Sequence, residues 1–254
     1  MRALIHLLSQ ELFGASLALP DFPRIKSLRG LGTSDGESYA GRLADRLDYR
    51  NTFYHREPRF DIAHGGAGES GRYDFLLSSE VLEHVVSPVE AAFQNVSNLL
   101  KPSGVFVFTV PYSLEDRTTE RFGKLHDFGF ARLADRTVLV NRTPQGDLQA
   151  FDDLIFHGGT GSTLEMREFS EAGLKSVLAA AGFTDVRIDS EDYPEFGIFR
   201  RYAWSLPIAA RKGPFAFSKD ATRDLAEQYR ESNQRLDALI RSLVVRVACK
   251  LRLL

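Results

Sequence analysis

Apolar residues at the start of the chain recur at the three- and four-residue steps of an amphipathic helix, at Leu4, Ile5, Leu7, Leu8, Leu12 and Phe13. Pro20 and Pro23 follow, and each proline disfavours helix in the residue before it. The pattern therefore predicts a leading helix and an extended connector over residues 1–23, with the helix packed on a main domain.

Two strand-helix-strand units follow in the hydrophobic pattern. The first has a weak strand from residue 25, a turn broken by Gly30, Gly32 and Gly36, a helix, and a strand over residues 49–54. The second unit is clearer and has a strand at 73–78, a helix at 80–100 and a strand at 105–110. This alternation predicts a mostly parallel sheet with helices on both faces, whose ligands lie beyond the carboxyl ends of the strands.

The alternation stops after residue 110. Strand-like stretches at 137–141 and 148–156 flank a Pro-Gln-Gly turn and predict an inserted hairpin, in a lid region spanning residues 113–168. A helix at 169–181 begins with Ser170 as its predicted N-cap, and strands at 183–188 and 205–210 complete a main domain of residues 24–212.

The tail, residues 213–254, is predicted to be a long helix because its apolar residues recur at steps of three and four. Residues 235–252 carry five basic side chains, with Asp237 as the one acid. The favoured interpretation is docking onto the main domain or a short homodimer coil in which Asn233 sets the register. A partner helix and peripheral contact with an anionic surface are the alternatives.

Composition narrows the class of protein. The 254 residues are 43% hydrophobic and 26% charged with a net charge of −2, which is typical of one globular domain with appendages and gives no reason to expect a nucleic-acid partner. The single cysteine, Cys249, excludes an internal disulfide and a thiolate zinc cage. No apolar run is long enough to span a bilayer, so we expect a cytoplasmic protein without a transmembrane segment.

A family resemblance rests on two segments. Residues 73–85 (YDFLLSSEVLEHV) and 99–112 (LLKPSGVFVFTVPY) resemble the fourth and fifth strands of class I S-adenosylmethionine-dependent methyltransferases of the small-molecule type. Residues 169–188 are similar to the penultimate helix and sixth strand of that family. The resemblance implies an α/β, Rossmann-like sandwich with a mixed seven-stranded sheet, an inserted β-hairpin and a C-terminal helix, with S-adenosylmethionine as cofactor.

The resemblance also implies a cofactor-binding set, which comprises Gly30, Gly32, Ser34, Asp35, Asp61, Ile62, Ser79 and Glu80. The first glycine motif is degenerate, with Leu28 where the family has an acid and Ser34 where it has a third glycine. Asp35 is expected to substitute for the acid. Residues 59–62 look like the family's third-strand element, whose aspartate, Asp61, is expected to accept from the adenine amino group. The alternatives are structural: the glycines form a tight turn, and Asp61 caps one at the surface.

Glu80, Glu83 and His84 stand at i, i+3 and i+4, which predicts one helical face just beyond the fourth strand. A structural and cofactor-side role is the first interpretation, and His84 as general base is the second. A divalent-metal site comes third, on a pattern that some related methyltransferases use in this way, and no metal is assigned. Tyr112 and His126 are predicted to border the acceptor, which completes a predicted catalytic set of His84, Glu83, Tyr112 and His126.

The predicted function is S-adenosylmethionine-dependent methyl transfer to a small polar metabolite or glycan. The missing acids after the first and second strands motivate an alternative, an inactive methyltransferase-like scaffold that binds a partner, for instance in surface-polysaccharide assembly. A nicotinamide dehydrogenase is the third alternative, but Ser34 and Asp35 stand where its last glycine would be.

Overall fold

A computed structural model describes residues 2–123, 125–157, 163–201, 204–242, 247 and 250. The helices are α1 (Arg2–Phe13), α2 (Glu37–Arg46), α3 (Glu90–Leu99), α4 (Glu171–Ala180) and α5 (Lys219–Arg241). The strands are β1 (Ile25–Thr33), β2 (Leu47–Thr52), β3 (Tyr73–Ser79), β4 (Leu100–Thr109), β5 (Tyr112–Ser113), β6 (Thr119–Glu120), β7 (Asp127–Leu133), β8 (Arg136–Arg142), β9 (Leu148–Phe151), β10 (Phe156–His157), β11 (Thr163–Leu164), β12 (Arg167–Ser170), β13 (Asp185–Ile188) and β14 (Ile208–Arg211).

The central sheet has six strands in the order β2-β1-β3-β4-β14-β13. The first four are parallel, whereas β14 runs antiparallel to both of its neighbours. The predicted mixed α/β sheet is therefore confirmed. The seventh strand is not: the segment around Asp61 contributes only an isolated bridge between Phe53 and Arg59.

The missing strand has a local cause. The carboxylate of Asp61 accepts the backbone N–H of Ala63 at 2.8 Å, and its carbonyl oxygen accepts from His64 and Gly65. These bonds bend the chain into a turn and compete with a strand ladder. The segment around Asp61 therefore adds no strand to the central sheet.

Helices cover both faces of the sheet, as the alternation of side chains along its strands requires. Phe75 and Leu77 of β3 belong to a core cluster with α1 and α2, whereas Leu76 belongs to a second cluster with α3 and α4. Ser170 caps α4 as predicted, because its hydroxyl accepts the backbone N–H of Gly173 at 2.9 Å. The leading helix is likewise confirmed as α1.

The helix predicted over residues 80–100 is wrong in its first half. The chain forms a 3₁₀ turn at Leu82–His84, and α3 begins only at Glu90. Pro88 disfavours helix in the residue before it and supplies no backbone N–H, which separates the two parts. Glu80, Glu83 and His84 consequently do not share a helical face.

The insertion after β4 is larger than the predicted hairpin. It contains a three-stranded antiparallel sheet, β7-β8-β9, and a small sheet in which β12 lies between β5 and β6. Its own apolar cluster consists of Phe122, Leu139, Leu164 and Met166. In β7 only Phe128 and Phe130 alternate as apolar residues, beside a glycine, so the third strand had a weak hydrophobic signal.

The tail begins as the predicted helix, α5, and its first turns dock onto the main domain. Asp224 accepts hydrogen bonds from the backbone N–H and the hydroxyl of Ser27, and Gln228 accepts from the N–H of Arg24. The predicted basic residues Arg246 and Arg252, with Cys249, lie outside the described residues. No described helix is both long and apolar enough to cross a membrane.

Candidate functional site

The carboxyl ends of the four parallel strands meet at one edge, where the β1–α2 loop, residues 34–36, is accessible. Ser34 is exposed and has a left-handed backbone (φ 61°), a conformation that glycine adopts most easily. Gly36 precedes α2, and no side chain caps the helix there. The first amide groups of α2 are therefore open to a ligand from this edge.

The end of β2 holds this loop in place. The side chain of Asn51 donates to the carbonyl oxygen of Asp35 at 2.8 Å and accepts its backbone N–H at 3.0 Å. Ser34 donates its N–H to the carbonyl oxygen of Thr52, and the Thr52 hydroxyl donates to Gly32. Asn51 and Thr52 therefore hold the loop in one conformation without a bound ligand.

The carboxylate of Asp35 points away from the edge and into the protein. It is 3% exposed and accepts hydrogen bonds from the hydroxyls of Tyr39 and Tyr49. Burial raises the pKa of Asp35 to about 6, although both tyrosine hydroxyls oppose the shift. Both oxygens of the predicted substitute acid are thus engaged by the protein's own groups.

This buried acid predicts a pH dependence of stability. The folded-state pKa lies above the unfolded value, so the stabilising contribution is full below the unfolded pKa of 3.8 and is lost as the pH rises through about 6. We expect Asp35 to lower the free energy of unfolding by about 1 kcal/mol between about pH 5 and 7. Urea denaturation at several pH values should show that the free energy of unfolding falls more steeply with rising pH in the native chain than in Asp35→Asn. Equal pH dependence of the two proteins would contradict this expectation.

The predicted glycine-broken turn is misplaced, because Gly30 and Gly32 both lie inside β1. A Cβ at Gly30 would lie 2.1 Å from the ring of Phe75, and one at Gly32 would lie 1.8 Å from the Tyr49 hydroxyl oxygen. The two glycines thus admit aromatic side chains from the neighbouring strands. Their role in cofactor binding stays a prediction.

Asp61 and Ile62 lie beyond β2 at the same edge. One oxygen of Asp61 caps the turn at Ala63, and the other lies 3.3 Å from the Nδ1 of the exposed His64. The Asp61 side chain is 40% exposed, so the capping role leaves it accessible. Ile62 is buried in the core, and only its backbone is available to a ligand.

Ser79 and Glu80 close the edge between β3 and β4. The hydroxyls of Ser79 and Thr109 lie 3.0 Å apart, and Glu80 donates its backbone N–H to the carbonyl oxygen of Thr109. Glu80 has a left-handed backbone (φ 54°), and its carboxylate accepts the hydroxyl of Ser205 at 2.5 Å. The carboxylate is half-buried and turned toward the segment before β14.

Glu83 and His84 enter a different cluster, formed with the insertion. Nε2 of His84 lies 3.5 Å from Glu83, and the His84 and His157 rings are edge to face at 4.8 Å. His157 in turn contacts Glu165 through Nε2 at 2.9 Å. Burial lowers the pKa of His84 and raises the pKa of Glu83 to about 8. This cluster therefore joins the turn after β3 to β10 of the insertion.

A cavity of about 500 Å³ adjoins this cluster at the end of β4. Its lining is partly aromatic and partly charged and comprises Pro111, Tyr112, Ser113, Leu114, Arg121, Ile155, Glu165, Glu168 and Trp204. Burial raises the pKa of Tyr112 to about 12, so its hydroxyl stays protonated. The volume suits a small organic molecule.

His126 does not join the other predicted site residues in the described contacts. It lies exposed just before β7, where its backbone N–H donates to the side chain of Asn141. The structure thus brings Tyr112 to the cavity, places Glu83 and His84 in the adjoining cluster, and leaves His126 on the outer sheet of the insertion.

A family comparison identifies the domain. The sequence model of a methyltransferase domain family matches residues 34–188, which is more than half of the chain. The chain belongs to the S-adenosylmethionine-dependent methyltransferase family. The match begins at Ser34, so the two glycines of β1 lie outside it.

Solved structures similar to this methyltransferase share little sequence with it. The 1,6-didemethyltoxoflavin-N1-methyltransferase of Burkholderia thailandensis is 18% identical, with 83% of this chain and 79% of that chain covered and a TM-score of 0.44. The sugar N-methyltransferase KedS8 of Streptoalloteichus is 11% identical, with coverages of 84% and 87% and a TM-score of 0.47. Among curated proteins, none matches this chain in sequence.

The accessible edge fits the polar groups of the cofactor in part. The exposed backbone at Gly36, the first amide groups of α2 and the carboxylates of Asp61 and Glu80 offer donors and acceptors for an aminoacyl nucleoside. The buried Asp35 offers no such group. The carboxylate of Asp35 is bonded to two tyrosines instead, and its role in cofactor binding stays a prediction.

Sequence reasoning missed several residues of the site: Asn51, Arg121, Glu165, Ser205 and Trp204. Asn51 lies in β2, and asparagine is disfavoured in strands, so its position in the sequence could have indicated a special role. The cavity residues come from separate parts of the chain and gave no local pattern.

Proposed function

We propose that this methyltransferase transfers a methyl group from S-adenosylmethionine to a small polar metabolite or glycan. The cavity beside the carboxyl end of β4 is the observation that carries the proposal. Tyr112 and Trp204 supply apolar surface for a ring, and Arg121, Glu165 and Glu168 supply charged groups for a polar acceptor.

The cofactor would be held at the accessible edge. We assign the backbone of Gly36, the first amide groups of α2 and the carboxylate of Glu80 to its methionine portion, and Asp61 with the backbone of Ile62 to its adenine. Asp61 supports this assignment because it remains 40% exposed while its turn is fixed. When bound, the cofactor supplies a methyl group activated by the positive sulfonium.

The residues of the chain then mainly align the acceptor and exclude water. Where the acceptor carries a proton, Glu165 would receive or relay it, because its carboxylate lines the cavity and contacts His157. The predicted roles of Glu83 and His84 in catalysis stay predictions, since neither is among the residues that line the cavity.

Asp61→Asn tests the cofactor site. The amide oxygen can still cap Ala63, whereas the amide nitrogen replaces the accessible acceptor with a donor. We expect S-adenosylmethionine to bind the native protein with a Kd near micromolar, and Asp61→Asn to weaken binding about tenfold or more. Isothermal titration calorimetry measures both values.

Asp152→Asn is the matched control, because Asp152 is an exposed carboxylate of the insertion, away from this edge. It should leave the affinity unchanged. The absence of heat with about millimolar cofactor would favour the partner-binding scaffold instead. Equal affinities of Asp61→Asn and the native protein would remove Asp61 from the site.

A further inference from the structure

The buried carboxylate of Glu83 is the feature that the proposed methyl transfer does not explain. Its side chain is 0% exposed, and within the part of the chain that the structure describes neither oxygen has a hydrogen-bond partner. Among its charged neighbours, Glu80 and Glu165 oppose a negative charge there and Arg167 favours one. Such a group normally has a partner, because burying a carboxylate without one is costly.

Two histidines face this carboxylate with their ring orientations fixed. Nδ1 of His84 lies 2.8 Å from the carbonyl oxygen of Leu164, which can only accept, so Nδ1 carries the proton and Nε2 presents a lone pair. Nε2 of His157 lies 2.9 Å from a Glu165 oxygen, and this contact orients the second ring.

Both contacts are of the kind that orients metal-binding histidines. A ligand histidine usually donates its other ring N–H to a backbone carbonyl or a carboxylate, and here one histidine does each. Arg121 in turn holds the Glu165 carboxylate at 2.7 Å. The hydrogen bonds that orient the two rings are therefore formed without a bound ion.

We infer that Glu83, His84 and His157 form a binding site for a first-row divalent metal ion of the Zn²⁺ type. One possible ligand atom from each residue lies within 4.8 Å of the others. Two ligands of a tetrahedral ion at about 2.0–2.1 Å lie about 3.3 Å apart, so binding would draw the widest pair together by up to about 1.5 Å.

The ligand chemistry selects the ion. Two imidazoles and one carboxylate suit Zn²⁺, Co²⁺ or Mn²⁺, whereas Mg²⁺ and Ca²⁺ prefer sites made of oxygen ligands. Glu80, which the sequence grouped with Glu83 and His84, is not part of this set because its carboxylate binds Ser205. Three protein ligands leave a fourth position, which water or an oxygen of a bound molecule can fill.

A metal titration of the full-length, tag-free protein tests the site without cofactor or acceptor. After treatment with a chelator, the protein should bind one equivalent of Zn²⁺ by calorimetry, and Co²⁺ should give the visible d–d bands of a four- or five-coordinate ion. Mg²⁺ should not compete. Glu83→Gln and His157→Gln should each weaken Zn²⁺ binding about tenfold or more.

His64→Gln is the matched control, because His64 also lies beside a carboxylate, that of Asp61, but outside the cluster. It should bind Zn²⁺ as the native protein does. In the metal-free state Glu83→Gln should melt at the same or a higher temperature than the native protein, and it should lose the rise in melting temperature that Zn²⁺ produces.

Sub-stoichiometric binding, or equal binding by Glu83→Gln and the native protein, would overturn the inference. Because these measurements omit S-adenosylmethionine, a failure here leaves the proposed methyl transfer intact. The calorimetry with the cofactor tests that proposal separately.

Discussion

Replacing Gly32 with alanine should lower the free energy of unfolding by about 3 kcal/mol or more. The new Cβ would lie 1.8 Å from the hydroxyl oxygen of Tyr49 and 2.2 Å from Oδ2 of Asp35. Both groups are buried and bonded to each other, so neither can move without breaking their hydrogen bond. Urea denaturation measures the loss.

Gly41→Ala is the control for this substitution. Gly41 lies in α2, and a Cβ there meets no atom within 4 Å, so alanine should stabilise the helix by about 0.5–1 kcal/mol. The double variant Gly32→Ala with Tyr49→Phe removes the closest atom and should recover part of the stability. A Gly32→Ala protein as stable as the native chain would show that β1 and β2 can separate at this point.

Replacing Arg167 with alanine should cost about 2–4 kcal/mol of stability, because it empties the space of a fully buried side chain and removes its hydrogen bond to Leu82. The side chain of Arg167 is 0% exposed. Its guanidinium donates to the carbonyl oxygen of Leu82 at 2.8 Å, to both oxygens of Glu120 and to the hydroxyl of Ser87. It thereby holds the turn that carries Glu83 and His84.

Arg136→Ala is the matched control for Arg167. Its ion pair with Asp152 is long, at 3.7 Å, and both side chains are mostly exposed, so the change should be within about 0.5 kcal/mol. Chemical denaturation compares the two variants directly. If Arg167→Ala lowered the free energy of unfolding no more than Arg136→Ala does, the hydrogen bonds of Arg167 would orient the turn without stabilising the fold.

The sequence predicted the elements whose pattern is local. Strands β3 and β4 contain short apolar runs, at residues 75–77 and 105–108, and α4 has both its periodicity and its capping serine, so these were recognisable. The prediction of one helix over residues 80–100 was wrong because apolar residues recur at helical spacing on both sides of Pro88. Residues 59–62 failed as a strand because Asp61 bonds to its own neighbouring backbone.

The site was less accessible to sequence reasoning because its contacts join distant parts of the chain. Glu80 bonds to Ser205, 125 residues away, and His84 bonds to Leu164, 80 residues away. The glycines of β1 carried a real signal, and the structure shows that the packing of Phe75 and Tyr49 requires them. A short-range motif cannot distinguish that requirement from close approach of a ligand.

The insertion meets the core without an intervening linker, because β12 ends at Ser170 and α4 begins at Glu171. Its backbone is also bonded to the turn after β3, since Met166 donates its N–H to the carbonyl oxygen of Glu83. Exchanging this segment for that of a relative, to transplant acceptor specificity, would therefore sever bonds of the host domain. Redesign of specificity in this protein has to proceed by single side chains along the cavity wall.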